Sequence, residues 1–101
     1  MSTAWAYIYD HAGTDPEADR TVLERAGQTT YLVPVPRSSD APRVALELIE
    51  EGVELIELCG GFSLEAAAAV ARAVGGRVPV GHVTFAVDSV RPAAEYAAKF
   101  D

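Results

Sequence analysis

The chain has 101 residues, which is enough for one domain, and no Ser/Gly/Pro-rich linker or block of charge divides it. Its formal net charge of -7 argues against nucleic acid and anionic membranes as partners, because an acidic surface repels phosphate groups. The single cysteine excludes an internal disulfide, and neither a signal peptide nor an apolar run of the roughly 20 residues that cross a bilayer is present. We therefore expect a soluble cytoplasmic protein with a single α/β domain over residues 1–101.

Short apolar runs alternate with helical patterns in the first third of the chain. Residues 3–9 are apolar on both alternating faces, which is typical of a central strand covered on both sides. Asp15 is a suitable cap for a first helix that Gly27 ends. A second strand is predicted over residues 29–35, and its Pro34 favours an edge of the sheet because proline has no amide hydrogen for a neighbouring strand.

The rest of the chain repeats this alternation of strand and helix. In order, the pattern predicts a helix from Asp40 that Gly52 ends, a strand over residues 53–59, a helix from Ser63 to Val74, a strand over residues 78–85 and a last helix from Asp88 or Ser89. Such an alternation implies a (βα)4 fold with a four-stranded parallel sheet and right-handed crossovers.

Two strand orders fit this pattern. Prolines in the second and fourth strands favour edge positions for both, and hence the flavodoxin-like order 2-1-3-4. The alternative is half of a TIM-type barrel in the order 1-2-3-4, which pairs with a second copy to complete eight strands. Glu57 favours the barrel, because a carboxylate near the end of a strand is typical of barrel interiors and is costly between a sheet and its helices.

The order 2-1-3-4 has a topological switch point between the carboxyl ends of the first and third strands, where open α/β sheets bind ligands. Tyr9 and His11 would line a pocket there. The backbone amides of Gly60, Gly61 and Phe62, at the start of the third helix, would bind an anion or stabilise an oxyanion. We therefore predict that these five residues bind a small-molecule ligand.

Three side chains are candidates for acid–base chemistry at the same edge. Cys59 precedes a helix start, which would lower the pKa of its thiol, although free cysteine is commonly a small buried apolar residue. Glu57 points to the same strand face and would act as an acid or base, unless it pairs with Arg72 or Arg77. His82 would complete a catalytic cluster if its strand presents it on that face, and is otherwise a partly exposed histidine of an edge strand.

The leading functional hypothesis is a homodimer that binds a small organic molecule and carries out isomerase, lyase or cyclase-type acid–base chemistry. A homodimer is expected because a chain this short buries only roughly 60 to 70 per cent of its unfolded surface. We expect no metal and no cofactor, since zinc-site spacings and the glycine motifs of hydride and phosphoryl transfer are missing. The alternative is a non-catalytic dimeric interaction or ligand-sensing module, in which the exposed alanine-rich helix around residues 66–69 and an edge strand bind a partner chain.

Two short segments carry a resemblance to known proteins. ELCGGF at residues 57–62 and VPVG at residues 78–81 resemble a family of small bacterial proteins known only as a domain of unknown function. The similarity extends from Ala4 to Phe85. It implies a shared fold and a shared pocket, and it brings no activity with it.

Overall fold

The computed structural model describes residues 2–100, which form one mixed sheet with helices on one of its faces. The strands are β1 (Thr3–Asp10), β2 (Thr21–Arg25), β3 (Gln28–Val35), β4 (Ile56–Leu58) and β5 (Val80–His82), and the helices are α1 (Ala41–Glu50), α2 (Leu64–Val74) and α3 (Val90–Ala97). The sheet has the order β2-β3-β1-β4-β5. Strands β3, β1, β4 and β5 are parallel neighbours, whereas β2 is antiparallel to β3. None of the helices within residues 2–100 is long and apolar enough to cross a membrane.

The four parallel strands lie in the relative order predicted as 2-1-3-4, and not in the half-barrel order 1-2-3-4. The (βα)4 prediction is wrong in its first helix, because the fifth strand, β2, occupies that segment. Asp15 does cap a turn, since its Oδ2 accepts hydrogen bonds from the amides of Glu17 and Ala18. The turn stops before Thr21, where β-branched residues favour an extended chain.

A tight hairpin joins β2 to β3. Ala26 and Gly27 are its two central residues, with φ angles of 55° and 76°. Both angles are positive, as a type I′ hairpin turn requires. An alanine in this position is strained, because its Cβ crowds the following carbonyl oxygen. Because the turn is Ala26-Gly27 and not the usual Asn-Gly, the sequence lacks the signal that predicts a hairpin here.

The predicted edge position of the second strand, observed as β3, is also wrong. Strand β2 pairs with its outer side, and the pairing extends only as far as Leu32, which lies opposite Thr21. Pro34 lies beyond that point and has no partner residue in β2. Its missing amide hydrogen therefore costs no hydrogen bond between these two strands. The predicted edge position of the fourth strand is confirmed by β5, which Pro79 precedes.

Helices α1 and α2 cover one face of the sheet and form the core with it. The buried apolar residues are Ala6, Ile8, Val33, Val35, Ala41, Val44, Ala45, Leu48, Val53, Ile56, Leu58, Phe62, Val70 and Val74. The Ser63 hydroxyl caps α2 by accepting a hydrogen bond of 3.1 Å from the amide of Ala66, and Gly75 ends the helix in a left-handed conformation. The alanine run 66–69 is partly buried, with Ala66 and Ala67 packed on the core, so it does not form the exposed surface that the sequence suggested.

The opposite face of the sheet, called the open face below, has no helix on it. The side chains of this face are Thr3, Trp5, Tyr7 and Tyr9 of β1, Thr21, Leu23 and Arg25 of β2, Gln28, Thr30, Leu32 and the buried Pro34 of β3, and Glu57 of β4. The three aromatic residues are half-buried, whereas Ala6 and Ile8 between them are fully buried under the helices. The expectation that the first strand is covered on both sides is therefore wrong for its aromatic side.

The C-terminal arm, residues 84–100, projects from the rest of the domain. It contains α3 and the two 3₁₀ turns Val87–Ser89 and Ala98–Phe100, and α3 packs mainly on these turns. The extents of the molecule, 43 × 27 × 26 Å, reflect this projection. Tyr96 and Phe100 stack edge to face with their ring centroids 5.3 Å apart, yet both are largely exposed.

Candidate functional site

The carboxyl ends of β1 and β4 meet at the predicted switch point. The backbone amide of Cys59 donates a 3.0 Å hydrogen bond to the carbonyl oxygen of Ile8, which keeps the two strand ends together. Asp10 is the last residue of β1, and Cys59 follows β4 directly. The thiol of Cys59 donates to Oδ1 of Asp10 over 3.4 Å. A carboxylate and a thiol are thus paired where α/β sheets bind their ligands.

The Cys-Gly-Gly-Phe loop fits closely around this pair. A Cβ on Gly61 would lie 2.7 Å from Oδ1 of Asp10, so the carboxylate occupies the space that any side chain at this position would need. A Cβ on Gly60 would lie 2.9 Å from the ring of Phe85. Phe62 is buried in the core, and its amide donates to the carbonyl oxygen of Cys59 at 3.1 Å, which closes the turn. A side chain at either position would therefore have to displace Asp10 or Phe85.

The thiol of Cys59 differs from the activated nucleophile that the sequence suggested. Burial raises its pKa, while the backbone amides of Asp10 and Gly61, which lie against the sulfur, lower it. The Asp10 carboxylate raises it further, both by accepting the S–H hydrogen bond and by its charge. The result is a pKa above the usual value, so Cys59 is a neutral thiol and a hydrogen-bond donor at neutral pH.

Glu57 and Tyr7 lie next to each other on the open face, whereas Asp10 lies at the carboxyl end of β1. They are paired across β1 and β4. Burial raises the pKa of Tyr7, and the negative charges that Cys59 and Glu57 can carry add to that rise. Neither Arg72 nor Arg77 forms an ion pair with Glu57 among the residues described.

His82 lies on the other face of the sheet, so the three predicted catalytic side chains do not form a cluster. In the register of β4 and β5, Glu57 is opposite Gly81 while His82 is opposite Leu58. His82 lies with Leu58 on the helix-covered face, and its Nε2 is 3.0 Å from the carbonyl oxygen of Phe62. It is the partly exposed histidine of an edge strand that the sequence offered as the alternative.

The two predicted residues of the pocket wall also separate. His11 is exposed beside Asp10, and its amide donates to the carbonyl oxygen of Val35 at 2.8 Å. Tyr9 stacks on Tyr7 of the open face, with ring centroids 6.3 Å apart. The sequence places Asp10 at the border of the switch point, after the first predicted strand, but the sequence reasoning gave it no role in binding or chemistry.

Two grooves of the surface border the open face. One groove of about 320 Å³ runs along β5 past Gly81, and one of about 630 Å³ lies at the amino ends of β1 and β3 beside Trp5. Glu57 and Leu55 line both grooves, whereas Asp10 and Cys59 line neither. Within residues 2–100 no group of three or more His, Cys, Asp or Glu side chains is arranged to hold a metal ion.

Comparison with known proteins finds one relationship. The sequence pattern of a family of unknown function, DUF6506, matches residues 3–98, nearly the whole chain. This match confirms the resemblance to an uncharacterised family. No curated protein and no solved structure matches the chain significantly.

Proposed function

The chain belongs to the family of unknown function DUF6506, and from that premise we propose that it binds a small organic molecule at the carboxyl ends of β1 and β4. Asp10 is the group that contacts the ligand, and the Cys-Gly-Gly-Phe loop and His11 border it. The observation that carries this proposal is the Asp10 carboxylate, which is exposed to solvent yet held between the Cys59 thiol and Gly61.

A carboxylate in this position is suited to binding because it is oriented before a ligand arrives. Its Oδ1 accepts the thiol hydrogen bond and packs on Gly61, while the rest of the group remains accessible from solvent. Groups that are fixed in advance lose less conformational freedom on binding. A ligand with a hydroxyl, an amine or an acidic carbon–hydrogen bond would meet this carboxylate directly.

The same pair supports acid–base chemistry without a cofactor. Asp10 would accept a proton from the ligand and return it to another atom, which is sufficient for isomerase, lyase or cyclase-type reactions. Cys59 remains protonated and orients the carboxylate by its hydrogen bond. The start of α2 lies beside the pair, and its amide dipoles favour negative charge that develops on the ligand.

The test is a screen of small metabolites by thermal shift on the wild-type protein, repeated on Asp10→Asn and on the control Glu50→Gln. Glu50 is an exposed carboxylate at the end of α1 and lies outside the site. We expect a compound that raises the melting temperature of the wild type and of Glu50→Gln but not of Asp10→Asn. A hit that stabilises all three proteins equally would contradict the proposed site, and so would a screen without any hit.

A non-catalytic ligand-sensing or interaction module is the second candidate. The exposed apolar side chains of the C-terminal arm favour it, because surfaces of this kind mark contacts with other molecules. Incubation of a confirmed ligand with the protein separates the two functions. Consumption of the ligand by the wild type and not by Asp10→Asn supports catalysis, while tight binding with the ligand unchanged supports the module.

A further inference from the structure

Within residues 2–100, two apolar surfaces are left without a partner. The first is the open face, where Leu32, beside Tyr7, is 38% exposed and Leu23, on the outer strand β2, is 54% exposed. The second is the C-terminal arm, in which Val87 is 90%, Phe100 is 74% and Tyr96 is 61% exposed. Single exposed apolar residues are ordinary, but contiguous groups of them indicate a binding surface.

The arm is an amphipathic helix without a surface to cover. At 3.6 residues per turn, its apolar side contains Val90, Ala93, Ala97 and Phe100, while Arg91, Glu95 and Lys99 lie on the other side. A helix of this kind gains most of its stability from burying the apolar side. Its root is nevertheless fixed to the domain, because the amide of Val83 donates to the carbonyl oxygen of Leu58 at 2.9 Å.

The accessible surface area of the chain is larger than that of a compact monomer of the same mass. A compact monomer of 10.7 kDa has an accessible surface of about 5,500 Å², whereas this chain exposes 6572 Å². The excess is about 1,000 Å², comparable with the roughly 800 Å² per partner that a standard stable interface buries. The radius of gyration of 14.0 Å likewise exceeds the roughly 13 Å of a compact domain of this length.

We propose that the C-terminal arm of one copy covers the open face of a second copy, and that the second arm covers the first copy in return. This arrangement deepens the predicted homodimer by assigning its surface, and it does not depend on the proposed ligand site. Each chain supplies one arm and one open face, so a two-fold pair leaves neither surface uncovered. The interface is therefore closed and stops at two copies.

Dimensions and charge fit this pairing. Val90 to Phe100 in helical conformation spans about 16 Å, and the five-stranded sheet is about 19 Å wide between its outer strands. The arm carries two basic residues, Arg91 and Lys99, and two acidic residues, Asp88 and Glu95, and the acidic Asp101 follows it. Residues 84–101 thus account for only -1 of the net charge of -7, so this segment meets less repulsion from another copy than the rest of the acidic chain would. Arg91 borders the apolar side and suits Glu57, which has no ion-pair partner among residues 2–100.

Disulfide trapping tests which molecule the arm covers. In a Cys59→Ser background, Leu32→Cys places a thiol in the middle of the open face and Ala97→Cys places one on the apolar side of the arm. Mild oxidation should give a covalent dimer on a non-reducing gel, and either cysteine alone should not give it to the same extent. A disulfide within one chain would show that the arm folds onto its own sheet and would overturn the proposal. Absence of any disulfide would overturn it as well.

Light scattering on single variants gives a second test that does not need engineered cysteines. The wild type should have twice the 10.7 kDa mass of one chain. Phe100→Asp should weaken dimerisation by at least about tenfold, because aromatic anchors dominate interfaces of this kind. Glu95→Gln, on the polar side of the same helix, should leave it within about twofold. A monomeric wild type, or a dimer that Phe100→Asp leaves unchanged, would contradict the proposal.

Discussion

The two faces of the sheet are built from the same strands but differ in what covers them. Ile8 and Tyr7 are neighbours in β1, yet Ile8 is fully buried under α1 and α2 while Tyr7 is half-buried on the open face. The fully buried strand side chains of the helix-covered face are aliphatic, with Tyr31 and His82 only partly buried on it. The open face carries aromatic rings with polar tips, the kind of side chain that is enriched at interfaces between molecules. The comparison indicates that one face stabilises the fold and the other is available for binding.

The strongest way to break this comparison is to truncate one side chain on each face. Ile8→Ala should lower the free energy of unfolding by about 3 kcal/mol, because it removes buried methylenes and leaves a cavity under the helices. Leu23→Ala, on the open face, should lower it by only about 0.5 kcal/mol when measured on the monomer. Urea denaturation at low protein concentration measures both values. Equal losses would mean that the two faces contribute equally to the fold of a single chain.

A smaller effect is expected at the start of α2, which covers the buried face. Ser63→Ala removes the hydroxyl that accepts the Ala66 amide and should cost about 1 kcal/mol of unfolding free energy. Ser89 is the matched control, because it occupies the same position at the start of α3 but makes no side-chain cap bond. Ser89→Ala should change the free energy by only a few tenths of that amount. Similar values for the two serines in chemical denaturation would contradict the assigned role of the Ser63 cap.

The hairpin at the margin of the open face gives a prediction of opposite sign. Ala26→Gly should raise the free energy of unfolding by about 0.5 to 1 kcal/mol, since it relieves a left-handed alanine at φ 55°. Ala86→Gly is the control, because Ala86 has a φ of -65° that alanine adopts without strain. It should be neutral or slightly destabilising. A thermal denaturation series in which both glycine variants lose stability would show that Ala26 is not strained.

The smallest expected effect is a dependence of stability on pH, caused by Cys59 and Tyr7. The pKa values of Cys59 and Tyr7 are both raised in the folded state, chiefly by burial. The folded chain therefore keeps these protons at pH values where the unfolded chain releases them. The contribution of these two groups to stability should be constant below the unfolded thiol pKa of about 8.5 and fall as the pH rises above it. Cys59→Ser should remove the first part of this decline, and an identical pH profile for that variant would contradict the raised pKa.

The sequence predicted the parts of the fold that local signals determine. Helix α2 was found from its Ser63 cap and the glycines after it, and the edge position of β5 followed from Pro79, whereas the edge position inferred from Pro34 was wrong. The segment 15–27 failed because Val22, Leu23 and Ala26 fit a helical stripe as well as a hairpin strand, and because Ala26-Gly27 lacks an Asn-Gly turn signal. Pairing with β3 decided the outcome, and that contact is not visible in a local pattern.

The switch point proposed from the sequence is present in the fold, but the three side chains predicted to act there do not form a cluster. The switch point between the first and third predicted strands is where Asp10 and Cys59 meet. The cluster of Glu57, Cys59 and His82 depended on the register of β4 and β5, which places His82 on the opposite face. A shift of one residue in register exchanges the two faces of a strand, and the short segment Val80–His82 carries too few alternating residues to fix its register in advance.

The most direct measurement of whether the open face is an interface uses Trp5, the only tryptophan of the chain. Trp5 lies half-buried on that face, with its indole Nε1 donating to Oγ1 of Thr30 at 2.8 Å. Acrylamide quenching of its fluorescence should decrease as protein concentration rises, with the midpoint that light scattering gives for dimerisation. Phe100→Asp should keep Trp5 accessible at concentrations where the wild type protects it. Quenching that is the same at every concentration, while the protein is a dimer, would show that the second copy binds elsewhere.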